Sequence, residues 1–274
     1  ESMTVRYSPQ GAQEGTRPIA QVLGSLRALL GVSNPGTLAP GQVVRYAFVV
    51  GAKELATSVT GRITLGIEVR TPGGLNPAAA VIAGQPVGHQ VVEPGRSLAL
   101  YTLDRPGLYT IELAGADPAA SGDYEIEVYL AGDVDLNAAI DGLDAVAMDA
   151  AMGTAQGQPG YCRSADADRS GTIDATDRLY VQASYAFTAN RAPSAAGKSA
   201  STLPGIPIPV SLAALAADPE GDPLGFMIRS VLNGSVILVD QGRSAVFTPE
   251  AGYTGPAAFE FQADDGMLSS AAAT

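Results

Sequence analysis

The twelve residues DADRSGTIDATD (166–177) place a carboxylate or hydroxyl at nearly every second position, add one glycine and follow it with an isoleucine. A hydrophobic core has no use for that pattern. A loop wrapped around a hard cation does, because oxygen donors on alternate residues of a tightly turned segment converge on one point. Counted from Asp166, the donors are Asp166, Asp168 and Ser170 at positions 1, 3 and 5, and the backbone carbonyl of Thr172 at position 7. Asp174 follows at position 9, acting through water, and Asp177 closes the loop at position 12. Gly171 at position 6 permits the positive φ of the sharp turn. Ile173 at position 8 faces away from the ion and is free to pack or pair with an equivalent loop. This ligand pattern points to Ca2+.

An equivalent loop begins 33 residues earlier: DVDLNAAIDGLD (133–144) offers Asp133, Asp135, Asn137, the carbonyl of Ala139, Asp141 and Asp144 at the same six positions, with Ile140 at position 8. A helical stretch follows each loop, GLDAVAMDAAMG and DRLYVQASYAF. Asp141 and Asp174 each stand three residues before a second aspartate, as capping residues do. Ala138 takes position 6 of the first loop, where a left-handed backbone costs a residue with a Cβ about 1 kcal/mol. The first loop is therefore expected to bind calcium more weakly. Both loops close on aspartate where an ordinary EF-hand has glutamate. Duplicated loops, closing aspartates and exit helices without clear entering helices resemble a dockerin domain over about 131–188. That resemblance implies folding on calcium and a cohesin partner. It is incomplete at the residues before each closing aspartate: Gly142-Leu143 and Ala175-Thr176 lack the family's paired hydroxyls and following basic pair, and the insert MGTAQGQPGYCRSA is long.

The loops sit within a chain of 274 residues, long enough for two or three domains. Its 32 glycines, 19 prolines, absence of tryptophan and 16% charged residues favour β-modules joined by turns. A formal net charge of −12 argues against nucleic acid or anionic lipid as the main partner. No run of eighteen apolar residues is present, so no membrane span is read. The single cysteine, Cys162, excludes an internal disulfide and reads as a free, partly buried thiol, with an intermolecular bridge as the alternative, and the single histidine, His89, has no second histidine to join it in metal binding. The chain begins at Glu1 without a signal peptide and reads as a piece of a longer, exported protein.

Four segments follow from the patterning. Residues 1–37 form an N-terminal segment in which TRPIAQVLGSLRALLG (16–31) reads as a helix, capped by Thr16 and ended by Gly31. Residues 38–131 alternate with period two in QVVRYAFVV, ITLGIEV and YEIEVYL, which predicts an antiparallel β-sandwich. GTLAPGQVVRYAFVV, RPGLYTIEL and SGDYEIEVYL, with strand entries at Tyr109 and Tyr124, resemble the bacterial pre-peptidase C-terminal domain, a jelly-roll-like sandwich of secreted proteins. Residues 132–188 hold the calcium loops. Residues 189–274 give short strands again, and NRAP, ADPEGDPL, NGSV and FTPEAGYTGPAAFEFQADDG resemble cadherin-like, Ig-like repeats of bacterial surface proteins. In that family Asn190, Asp218, Glu220, Asp222, Asp264 and Asp265 correspond to residues that gather at one end around calcium. The family pattern continues with one more strand, which a later segment or a neighbouring subunit would supply.

The expected fold class is mainly β and multidomain: two antiparallel β-sandwiches flanking a small α-helical, duplicated EF-hand domain. Thirteen of the 28 acidic residues lie in the three sets of candidate ligands, so the negative charge reads as a calcium complement. No GxSxG, histidine-rich metal set or phosphate-binding glycine loop is present, and no catalytic residue is assigned. The function expected is a non-catalytic, extracellular, calcium-rigidified stalk, adhesin or filament element, in contact with its own neighbouring modules or identical subunits. The alternative is a dockerin-type assembly module that binds a cohesin.

Overall fold

Side chains that alternate along a pleated strand bury one face and leave the other to solvent, unless something covers it. In the computed structural model, which describes residues 21–274, the chain divides after Ala189 into two units. The first opens with β1 (Gln21–Ser25), the single helical turn α1 (Leu26–Leu29), β2 (Ser33–Leu38), β3 (Val43–Val50) and α2 (Ala52–Thr57). β4 (Ile63–Arg70), β5 (Val81–Ile82), β6 (His89–Glu93), β7 (Arg96–Leu103), β8 (Gly107–Ala114) and β9 (Gly122–Leu130) complete a sandwich. One sheet runs β1-β3-β8-β5 and the other β2-β9-β4-β7-β6. Phe48, Val50, Ile111 and Leu113 of the first sheet meet Ile63, Leu65, Ile67, Val69 and Val128 of the second in one core. The buried hydroxyls of Tyr46 and Tyr124 lie 2.7 Å apart and join the two sheets.

The helix expected over 16–31 is corrected. Gln21–Ser25 is a strand parallel to β3, and only Leu26–Leu29 is helical; residues 16–20 lie outside the described residues. Gly24 has φ 84°, which an α-helix cannot accommodate, and pairing with β3 supplies backbone hydrogen bonds that a helix would have made internally. Leu26 and Leu29 are buried in the sandwich core. The sandwich accordingly starts before residue 38, since β2 pairs with β9 from Ser33 to Leu38.

On β4 the alternation fails for a physical reason. Ile63, Leu65, Ile67 and Val69 fill the sandwich, but Thr64 and Glu68 on the opposite face are buried as well. Leu98 and Leu100 of β7 and Tyr129 of β9 are also buried, in a cluster separate from the sandwich core that includes Ala167 of the second acidic loop. The outer face of this sheet is covered by residues 131–189, which carry α3 (Gly142–Ala151) and α4 (Ala175–Ala183). Gly66 of β4 has a defined task here: a Cβ at that position would run into the Tyr129 ring.

The second unit contains β10 (Ser194–Ala195), β11 (Ile208–Ser211), β12 (Ala216–Ala217), β13 (Gly225–Leu232), β14 (Gly234–Val239), β15 (Ser244–Pro249) and β16 (Ala258–Asp264). Its sheets are β11-β15-β14, β13-β16 and β10-β12, around a core of Leu212, Ala245, Phe261 and Ala273. Residues 269–273 turn back along β16, with Ala273 opposite Phe261. The fold is mainly β, with the helical loop region between β regions, as expected.

Candidate metal centre

Each acidic loop is held by hydrogen bonds that its own sequence dictates. In the first, Asp133 accepts from the backbone amides of Asn137 (3.1 Å) and Ala138 (2.9 Å), and Asp135 accepts from Asn137 N at 3.2 Å. Asp144 accepts from Val134 N (2.7 Å), Asp135 N (3.2 Å) and Asp141 N (2.8 Å). The second loop repeats this position by position. Asp166 accepts from Ser170 N and Gly171 N (both 2.9 Å), and Asp168 accepts from Ser170 N at 3.0 Å. Asp177 accepts from Ala167 N (2.7 Å), Asp168 N (3.3 Å) and Asp174 N (2.8 Å). Two segments with different sequences thus reach one geometry.

That geometry draws carboxylates together. One oxygen each from Asp133, Asp135 and Asp144 lie within 4.8 Å of one another, and the same holds for Asp166, Asp168 and Asp177. Asp141 and Asp174 cap α3 and α4, accepting from Leu143 N (2.7 Å) and Thr176 N (2.6 Å). Asn137 Oδ1 accepts from Ala139 N at 2.8 Å, and Ser170 Oγ donates to the Thr172 carbonyl at 3.1 Å. Crowding has an electrostatic consequence. Burial, with the charges of Asp144 and Asp135 added, pushes the Asp133 carboxyl up to about 6. Burial and the Asp168 charge likewise raise Asp177. A divalent cation among these oxygens reverses both effects, and an all-oxygen donor set is the kind that calcium takes. The residues fit calcium.

Position 6 is left-handed in both loops, with φ 66° at Ala138 and 89° at Gly171. A calcium titration of the Ala138→Gly variant is expected to show the first loop binding about fivefold more tightly, because relieving about 1 kcal/mol of strain favours the bound conformation. An unchanged affinity would remove the strain argument.

The isoleucines at position 8 are fully buried in one core cluster, and their backbones pair with other segments and not with each other. Ile140 donates to Phe187 O (2.8 Å) and accepts from Ala186 N (2.8 Å); Ile173 donates to Thr154 O (2.9 Å) and accepts from Gly153 N (2.8 Å). Each isoleucine therefore binds the segment that leaves the other repeat's helix. This interlocks the two repeats, and the long insert after α3 supplies one of those segments. Cys162, in that insert, is half-buried, with its Sγ 3.0 Å from Ser164 Oγ.

Sequence reasoning missed how the loops are seated. Glu68 on β4 is 3% exposed and surrounded by Arg96 (2.7 Å), Arg70 (3.6 Å) and Arg163, the last from the insert between the loops. Burial pushes its carboxyl up, but the Arg96 hydrogen bond and the charges of Arg163, Arg70 and Arg96 overcome this and hold it below the ordinary glutamate value. Arg163 and Arg70 also bind Glu127 of β9. At the other end of α4, Val59 N donates to Tyr185 O (2.9 Å) and Thr64 N to Ser184 Oγ (3.3 Å). A charged residue at an outward-facing strand position was the available signal, and in a lone sheet it means solvent.

In the second unit the six expected ligands behave differently. Asn190 Nδ2 donates to Asp265 at 2.8 Å, and Asp218 Oδ1 accepts from Glu220 N (2.9 Å) and Asp222 N (2.8 Å). Glu220 is engaged by the Arg191 side chain at 2.7 Å. Asp264 is engaged within its own hairpin by Gly266 N (2.8 Å) and Ser269 Oγ (2.6 Å), and Asp265 by Met267 N and Leu268 N. Among the described residues no third carboxylate group as tight as the two loop triads forms there. The second oxygen of Asp218 is buried without a hydrogen-bond partner among the described residues.

Comparison with known proteins agrees with this modular layout. Residues 131–184 match the family model described as the dockerin type I domain, and residues 190–274 match that of a bacterial Ig domain. A solved structure, the pre-peptidase C-terminal domain of collagenase from Bacillus anthracis, is similar at 20% identity and a TM-score of 0.28, over 36% of this chain and 89% of that one. No curated protein matches. Dockerin and bacterial Ig domains are non-catalytic kinds of module, typical of extracellular proteins. No helix among the described residues is long and apolar enough to cross a membrane.

Proposed function

We propose that the chain is a non-catalytic, calcium-binding structural segment of a secreted or cell-surface bacterial protein. Calcium at Asp133, Asp135, Asn137, Ala139, Asp141 and Asp144, and at Asp166, Asp168, Ser170, Thr172, Asp174 and Asp177, locks a sandwich and its loop region into one rigid piece of a stalk, adhesin or filament. The observation that carries this reading is the shared packing. Ile140, Met148, Ile173, Val181 and Phe187 of the loop region belong to the same buried cluster as the sandwich residues, so there is no slack between the two. A module that only tethers a partner has no need of a common core with its neighbour. Asn190, Asp218, Asp222 and Asp265 are proposed as a further cation site of the Ig-like unit, with the partnerless Asp218 oxygen as a buried donor and with Glu220 and Asp264 contributing once released from their present partners.

Isothermal titration of calcium into the chelator-stripped chain tests this. Two or more sites are expected, and Asp166→Ala should remove the tighter of the two loop sites. Absence of heat would sink the reading.

A second reading, cohesin docking, is favoured by one observation: Leu143 (66% exposed) and Val146 (68%) on α3, and Leu179 (60%) on α4, present apolar side chains to solvent. Titration against a type I cohesin decides it. Binding abolished by Leu143→Asp together with Leu179→Asp would make assembly the function; no binding in saturating calcium leaves the structural reading.

A further inference from the structure

The two loops are alike in their ligands and unlike in what their other residues touch. At position 4 both backbones are left-handed, with φ 61° at Leu136 and 54° at Arg169. Leu136 is 60% exposed, whereas Arg169 is 8% exposed. Its guanidinium lies 4.0 Å above the Tyr129 ring of β9 and donates to the carbonyls of Asp166 (2.7 Å) and Arg163. Position 2 differs as well. Val134 O of the first loop accepts from Ser164 Oγ, a residue of the loop region itself, at 2.5 Å. Ala167 O of the second loop accepts from Tyr129 OH, a strand residue, at 2.6 Å. The Arg169 carbonyl also accepts from Arg96 of β7 at 3.3 Å.

We propose that calcium at the second loop is thermodynamically coupled to the order of the β2-β9-β4-β7-β6 sheet through an Arg169–Tyr129 latch that the first loop lacks. This rests on the calcium reading above. The loop backbone from Asp166 to Gly171 presents both the Ala167 carbonyl and the Arg169 side chain to Tyr129, and the same backbone carries the ligands Asp166, Asp168 and Ser170. Without a cation, repulsion among Asp166, Asp168 and Asp177 opposes that conformation; with one, the conformation is favoured, and so is the latch. Coupling of this kind is reciprocal, so the latch raises calcium affinity by the factor by which calcium strengthens the latch. The cation–π geometry and the buried hydroxyl-to-carbonyl bond give the coupling a physical carrier. Gly66 completes it by leaving room for the ring.

The test uses the full chain with Asp135→Ala, in which only the second loop of the pair keeps its ligands. Calcium titration is combined with amide hydrogen exchange in β4, β7 and β9. Arg169→Leu, which installs the first loop's residue type, is expected to weaken calcium binding about tenfold, within the usual range of coupling between sites. It should also abolish most of the calcium-dependent protection of those strands. Tyr129→Phe keeps the ring and its packing and loses only the hydroxyl; a loss of a few-fold is expected, and it serves if Arg169→Leu folds poorly. In the complementary Asp168→Ala chain, where the first loop keeps its ligands, Leu136→Ala should leave affinity and protection unchanged. Wild-type affinity and protection in both latch variants would overturn the coupling while leaving calcium binding intact. Failure of the parent chains to bind calcium at all would overturn both readings, and is told apart by the missing heat.

Discussion

Stripped of calcium, the first unit is expected to melt about 10–20 °C lower than in saturating calcium. Two sites at a hundredfold excess over their dissociation constants contribute about 5 kcal/mol, and for a unit of this size each kcal/mol moves the midpoint by about 2–4 °C. The direction follows from the buried carboxylates: Asp133, Asp144, Asp166 and Asp177 are all nearly inaccessible, and without a cation they face one another as like charges. Because the loop region shares its core with the sandwich, the whole unit should move as one transition. Acid separates the two states. The Asp133 carboxyl, raised to about 6 in the folded chain, holds its proton more tightly there than in the unfolded chain. The calcium-free unit therefore gains stability from this group as pH falls through 6 towards 4, while calcium loses affinity over the same interval. A thermal melt at pH 7 and pH 5, with and without calcium, checks both statements. A calcium-induced shift no smaller at pH 5 than at pH 7 would contradict them.

Glu68→Gln is expected to destabilise the first unit by about 3 kcal/mol in calcium, the low end for breaking a buried ion pair. Arg70 and Arg163 are 42% and 43% exposed in their side chains and regain some hydration, which keeps the loss from being larger. Glutamine conserves the shape, so the loss reports charge. The same loss should appear in the unmodified protein on acidification. Glu68 has its folded value depressed below the unfolded one; its contribution is complete above about pH 4.5 and disappears as pH falls through the folded value. Chemical denaturation at pH 7 and pH 4 checks this: the variant should lie well below wild type at pH 7, and the difference should shrink at low pH. Equal stabilities at pH 7 would mean that the arginines around Glu68 contribute nothing net.

The sequence by itself determined the elements whose cause is local. The conformation of the two acidic loops and the caps at Asp141 and Asp174 follow from short-range hydrogen bonds between each side chain and amides two to five residues on, or from the closing aspartate back to the loop. Spacing alone therefore places them. The strands of the sandwich follow from period-two alternation, as in VVRYAFVV. The tertiary structure decided what depends on which surface meets which. A helical period over 16–31 gives way to a strand at Gln21–Ser25, because β3 offers an unpaired edge that no local window contains. Ile140 and Ile173 pair across the repeats with segments dozens of residues away. Thr64, Glu68 and Tyr129 occupy strand positions that alternation assigns to solvent, and the loop region buries them together with Leu98 and Leu100. Arg169, set between two ligands, reads as a solvated charge; only the Tyr129 ring, 40 residues earlier in sequence and 4.0 Å away in space, turns it into a latch. Local hydrogen bonding is written in residue spacing, whereas the covering of one face by another is a property of the folded surface.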